Sequence, residues 1–183
     1  MMYNLDALKH VRSHVNVPIL GHESNWTMYD LVNVIKKDCV DYVKLDGRFD
    51  AGYNGVRISA GMAEAAGIQC VHHSFFQLGI ALAGSLHVMA SCPNFSMACS
   101  MSEYRSMLDD VIEGGPLQMK QSPYMDVPQG IGLGVKLDEE KLQKYHEYYV
   151  REILEPGYER ETENPYYTAM FMRPYLRDTY GSR

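Results

Sequence analysis

Two hydrophobic rhythms alternate along the first two-thirds of the chain. Short apolar runs occur at VPIL (17–20), DYVKL (41–45), IQCVH (68–72) and PNFSMA (93–98). Runs of this length bounded by turn residues predict buried strands. Between them the period lengthens. TMYDLVNVIKKD (27–38) places Met28, Leu31, Val32 and Ile35 on one helical face. GVRISAGMAEAAG (55–67) reads as a helix closing on glycine, and FQLGIALAGSLHVMAS (76–91) is apolar nearly all round, as a helix buried between neighbours should be. SEYRSMLDDVIEGG (102–115) predicts another helix, stopped by Gly114 and Gly115. A helix over 4–15 precedes the first strand. One from 138 onward takes Asp138 as its N-cap.

Strand and helix thus alternate with a period of roughly 25 residues, the pattern of parallel strands joined by right-handed crossovers. Both an open doubly wound sheet and part of a (β/α)8 barrel satisfy it. A complete barrel takes about 250 residues, so the chain accounts for roughly half of one. Glu23, Asp46, His73 and Cys99 follow the four apolar runs, at separations of 23, 27 and 26 residues. Parallel α/β folds gather the carboxyl ends of their strands on one face, where ligands bind. A polar residue after a strand is commonplace; one reactive side chain per unit, at the same place in each, reads as a site.

Composition narrows the function classes. Hydrophobic content is 46%, charged content 22% and net charge −6, which fits a soluble globular protein. The 17 basic residues form no run, so neither nucleic acid nor an anionic membrane is an expected partner. Cys39, Cys70, Cys92 and Cys99 form no CxxC pair and no zinc-finger spacing. The opening MMYNLDALKHVRSH lacks a signal-peptide core, and no apolar run reaches the roughly 18 residues of a membrane span, so the cytoplasm is the expected compartment. GIGLG (130–134) lacks the spacing of a phosphate loop and reads as a backbone turn. His10, His14, His87 and His146 read as surface or helix-packing residues, and 164–183 as a Tyr- and Met-rich tail.

Several motifs in order, over about residues 5–150, resemble the C-terminal half of the enolase superfamily, in its mandelate racemase/muconate lactonizing enzyme branch. NVPILGHES resembles the fifth barrel strand, DYVKLDGRFDAGYNGVRISAGMAEAAGI the sixth unit, GIQCVHHSFFQLGIALAGSLHVMASCPN the seventh, and VPQGIGLGVKLDEEKLQKY the closing signature. The family usually has paired glycines at Ala51-Gly52 and a proline at Ile131. The resemblance implies an α/β fold, the C-terminal half of a (β/α)8 TIM-type barrel with about strands 5–8, spanning 1–153, and a tail over 154–183. It implies that Glu23 is one ligand of an essential magnesium. Where lactonizing members carry a lysine on the sixth strand, this chain has Asp46, as in the racemase and sugar-acid dehydratase members, whose base is an Asp–His dyad. His73 is then the base, favoured over His72, which would point toward the helices.

This chemistry suits those residue types. Removing a proton α to a carboxylate creates a strongly basic enediolate, which a divalent cation stabilises. Magnesium takes hard oxygen ligands such as Glu23, and a base working near neutral pH favours histidine; a histidine or lysine base with magnesium is a general pattern of the superfamily. Cys99 stands where many relatives have a glutamate that binds the substrate carboxylate. It reads as an altered substrate contact, a nucleophile or a small, partly buried thiol. The first four strands of relatives carry the opposing lysine and two further metal carboxylates, and this sequence contains none of them. The expected partners are a small carboxylic acid and either a homo-oligomer or a complementary N-terminal half. The alternative to a racemase-like or dehydratase-like enzyme fragment is a non-catalytic truncated half-barrel or assembly subunit.

Overall fold

A computed structural model of the protein describes residues 4–73, 77–99, 104, 107–119 and 124–154. These group into two compact units, 1–139 and 140–183.

The first unit is built on a parallel sheet with helical crossovers. Its elements are α1 (Leu5–His14), β1 (Leu20–Gly21), α2 (Met28–Lys37), β2 (Tyr42–Leu45), α3 (Gly52–Ala65), β3 (Gln69–His72) and α4 (Gly79–Ser91). The strands lie in the order β1-β2-β3, all parallel, with Gly21 opposite Val43 and Leu45 opposite His72. Alternation along β2 and β3 sends Val43, Leu45 and Cys70 to one face, where they pack with Leu31 and Val34 of α2 and Val56, Ala60 and Ala63 of α3. Each large aliphatic side chain buried there stabilises the fold by ~1.5–3 kcal/mol.

Local chemistry sets the element ends. Asn4 Oδ1 accepts from Ala7 N and caps α1, and Thr27 Oγ1 accepts from Asp30 N and caps α2. Arg12 reaches from α1 to Asp41 at 2.9 and 3.0 Å, and the other Asp41 oxygen accepts from Ile19 N at 2.7 Å. One guanidinium therefore ties α1 to the entries of β1 and β2. Gly21 sits in a tight place: a Cβ there would meet Asn25 Oδ1 at 2.9 Å and Val40 Cγ1 at 3.0 Å, so both side chains would have to shift to admit a larger residue. GIGLG is a turn with Gly130, Gly132 and Gly134 at positive φ, held to α4 by a hydrogen bond between His87 Nε2 and Leu133 O at 3.2 Å.

Two expected elements do not form among the described residues. Residues 93–98 do not form a strand. Cys70 N does donate to Asn94 O, but the buried Asn94 turns its own amide inward to Ala60 O and Cys70 Sγ, which replaces a ladder with side-chain bonds. Residues 107–115 are not helical; the remainder of that expected helix lies outside the described residues apart from Tyr104. The cause is Asp110, a buried carboxylate that accepts from Gly79 N and Tyr104 Oη, both at 2.8 Å, and from Val111 N at 2.7 Å. A side chain so engaged competes with helix formation. Ile112 pairs instead with Leu137 in an antiparallel bridge.

In the second unit, α5 (Glu139–Tyr149) runs into a π-type turn at Val150–Leu154. Its side chains are largely solvated, and Arg151 lies over the Tyr148 ring at 5.8 Å. The tail from 155 lies outside the described residues.

Leu31 is 0% exposed and Leu108 is 100% exposed. Leu31→Ala should therefore cost ~2–5 kcal/mol in denaturant unfolding. Leu108→Ala should change the same measurement by less than about 0.5 kcal/mol.

Candidate active site at the strand ends

Parallel strands in register bring their carboxyl ends together. Asp46 follows β2 directly and His73 follows β3 directly, and since Leu45 and His72 are partners, Asp46 and His73 are neighbours. The Asp46 carboxylate is only 2% exposed. His73 Nδ1 lies 2.7 Å from its Oδ2. Arg48 reaches the same group from the following turn: its backbone N donates to Oδ1 at 2.9 Å, its Nε to Oδ1 at 3.0 Å and Oδ2 at 3.1 Å, and its Nη2 also to Oδ2. Arg48 Nη2 is 3.2 Å from His73 Nδ1. Burial alone would raise the Asp46 carboxyl, but the bonds from His73 and Arg48 outweigh it and hold the group well below the usual carboxylate range. An ionised carboxylate can only accept, so the proton between the pair sits on Nδ1 and the lone pair of the ring is at Nε2.

Behind this pair sits a second carboxyl. Asp50 Oδ2 accepts from Asp46 N at 3.1 Å and Oδ1 from Ser59 Oγ at 2.9 Å. Burial pushes Asp50 up to about 7, with the Asp46 charge adding in the same direction.

The structure distributes the other expected residues differently. Glu23 opens a 3-10 turn after β1, its side chain 44% exposed, with Oε1 3.5 Å from His22 Nδ1. Cys99 Sγ accepts from His72 N at 3.3 Å and so borders β3, and burial pushes its thiol up, away from the thiolate a nucleophile needs. His72 shares the Leu45 face and is buried, with neither ring nitrogen partnered among the described residues.

His22, Arg48 and Asp50 are the residues that sequence reasoning missed. The His22 ring lies 4.3 Å from that of His73, tilted by 53°, and its buried Nε2 has no partner among the described residues. Burial, then His73, lowers His22 to about 4. The signal was present: β1 ends at Gly21, so the first side chain past the strand is His22, just as Asp46 follows Leu45 and His73 follows His72. Arg48 carried no periodic signal. Among the described residues no three His, Cys, Asp or Glu side chains converge as a metal site.

Comparison with known proteins gives this geometry a family. Residues 1–141 match the enolase C-terminal domain-like family. The chain is 29% identical over 142 residues to a chloromuconate cycloisomerase of Pseudomonas putida, covering 78% of this chain and 38% of that protein. It is 28% identical over 146 residues to a probable glucarate dehydratase of Streptomyces coelicolor, covering 76% and 32%. An enolase from Pseudomonas fluorescens Pf0-1, solved with bound magnesium, potassium and tartrate, superposes with a TM-score of 0.74 at 25% identity, over 80% of this chain and 34% of that one. The chain thus spans roughly a third to two-fifths of the length of these relatives, and its α/β fold resembles part of the enolase barrel domain.

The buried histidine sets a pH dependence of stability. Burial lowers His72 to about 4, below its ordinary value of 6.5. Between those values the unfolded chain binds more protons, so this contribution is complete above about 6.5 and is lost as pH falls toward 4. His72→Gln should therefore narrow the stability difference between pH 7 and pH 4.5 relative to wild type in urea unfolding. An unchanged difference would show that His72 is not held neutral.

Proposed function

We propose that this chain, which belongs to the mandelate racemase/muconate lactonizing enzyme branch of the enolase superfamily, supplies the base for removal of a proton α to a carboxylate. His73 Nε2 takes the proton, and the C–H electron pair passes into the enediolate of the acid. Asp46 holds the ring by Nδ1 and carries the compensating charge while the imidazolium exists. In a dehydration the same imidazolium returns its proton to the departing β-hydroxyl, which leaves as water. The observation that carries this reading is the 2.7 Å contact between a buried carboxylate and His73 Nδ1. The substrate class we propose is a small sugar acid or 2-hydroxy acid, with Cys99 bordering its site where relatives hold the substrate carboxylate. The reading includes strands five to seven of the family barrel for β1 to β3, a barrel portion over 1–153 with a tail over 154–183, and a cytoplasmic location; no helix among the described residues is long and apolar enough to cross a membrane.

Magnesium does not fit the described donor set by itself. Glu23 is the one carboxylate we assign to such an ion, and its half-exposed oxygen faces His22 rather than a second carboxylate. The remaining ligands would have to come from elsewhere. This same shortage favours a second reading, in which the chain is a non-catalytic truncated half-barrel or assembly subunit.

Among the described residues β1 pairs only with β2, which leaves one strand edge unpaired. We propose that a second copy or a complementary N-terminal half covers it. Sedimentation should give a dimer or a larger assembly, and a cooperative 20.8 kDa monomer would contradict this.

The catalytic reading is tested by α-proton exchange into deuterated solvent, followed by NMR on sugar acids and aryl 2-hydroxy acids. The chain would be assayed with magnesium and an N-terminal portion of a relative. His73→Asn should lower the rate by ~10²–10⁴-fold, and Asp46→Asn should lower it and move its pH profile. Exchange that survives His73→Asn unchanged excludes His73 as the base; a folded assembly without exchange on any acid supports the second reading.

A further inference from the structure

Asp50 has a chemistry that the base alone does not explain. Its carboxyl is 3% exposed, yet two donors converge on it, one oxygen accepting from Asp46 N at 3.1 Å and the other from Ser59 Oγ at 2.9 Å. Ser59 is itself fully buried in the face of α3 that packs on the sheet. The carbonyl of Asp46 is fixed as well, accepting from Phe49 N and Asp50 N, both at 2.9 Å. Both main-chain groups of residue 46 are thus held by residues 49–50. The loop in turn is seated on α3: a Cβ at Gly55 would lie 1.4 Å from Asp50 O, so only glycine admits this approach.

We propose that Asp50 is a positioning residue for the Asp46–His73 pair, fixing the strand-end amide of Asp46 from inside the core so that its carboxylate stays aimed at the ring. This rests on the reading of that pair as the base. An asparagine in the same place could still accept from Asp46 N through its Oδ1 and donate its NH2 to Ser59 Oγ, so it removes the charge and leaves the geometry, whereas alanine removes the acceptor itself. The charged groups acting on Asp50 are Asp46 at the end of β2 and Asp30 of α2, both of like sign, with the Ser59 hydroxyl from α3 and the Asp46 amide as donors. Ionising Asp50 therefore sets a second negative charge behind the first, and its protonation is coupled to that of the pair.

The test uses the full, 15N-labelled chain without substrate, so it does not depend on turnover. In Asp50→Ala, which removes the acceptor, hydrogen exchange of the Asp46 amide should quicken by about tenfold or more, the size of one lost hydrogen bond, while the Val43 amide within β2 stays as in wild type. In wild type the Asp46 amide shift should show a transition near pH 7. That transition should vanish in Asp50→Asn and move to higher pH in Ser59→Ala, which removes a bond that favours the ionised form. An Asp46 amide whose exchange is unchanged in Asp50→Ala overturns the proposal. If Asp50→Ala does not fold, Ser59→Ala decides alone, and a transition that stays in place overturns it. A failure of the base reading would instead appear as proton exchange insensitive to His73→Asn, with these amide readouts intact.

Discussion

The site depends on one constraint: a carboxylate taken out of water must be given donors. Asp46 is almost fully buried at the end of an apolar strand, where an unpaired charge would be strongly destabilising. It is satisfied by His73 from the next strand and by the Arg48 side chain and amide from its own turn. The parallel register supplies the first partner, because Leu45 opposite His72 leaves Asp46 beside His73. The turn supplies the others, and Asp50 beneath holds the amide that sets where the carboxylate points. Removing any one partner would leave a charge that the core cannot solvate.

The same arrangement divides labour among the histidines. His73 touches a charge partner and retains partial solvent access, whereas His72, one residue earlier and on the opposite face, is kept neutral by burial and has no partner among the described residues. His22, just past β1, sets its ring beside that of His73 at a tilt. The site is thus built from strand ends, with the carboxylate behind the ring. The sheet that builds it is open, with β1 and β3 each paired only to β2 among the described residues.

Much of this was legible in the sequence. β2, β3, α1, α2 and α4 stand where the apolar runs and helical stretches place them; α2 packs through its periodic apolar face and α4 is buried nearly all round. The elements that failed did so through single polar side chains: Asn94 and Asp110 turn inward and satisfy backbone groups, and hydropathy registers only that they are polar. His22 was hidden by one residue, since β1 is short and ends at Gly21. Arg48 and Asp50 were hidden altogether, because the turn GRFD has no period and its bonds follow from the loop conformation. The pairing of Asp46 with His73 as an acid–base unit came from family resemblance. The structure adds the distance, from which the tautomer is argued.

That tautomer is the most direct test. With 15N-labelled histidine, long-range correlation at a pH where the rings are neutral distinguishes a protonated Nδ1 from a protonated Nε2. Bonding of His73 Nδ1 to the ionised Asp46 predicts the Nδ1–H form for His73, with Nε2 carrying the lone pair, and loss of that preference in Asp46→Asn. An Nε2–H form for His73 in the wild-type chain would contradict the account, because the nitrogen assigned to accept the substrate proton would already hold one.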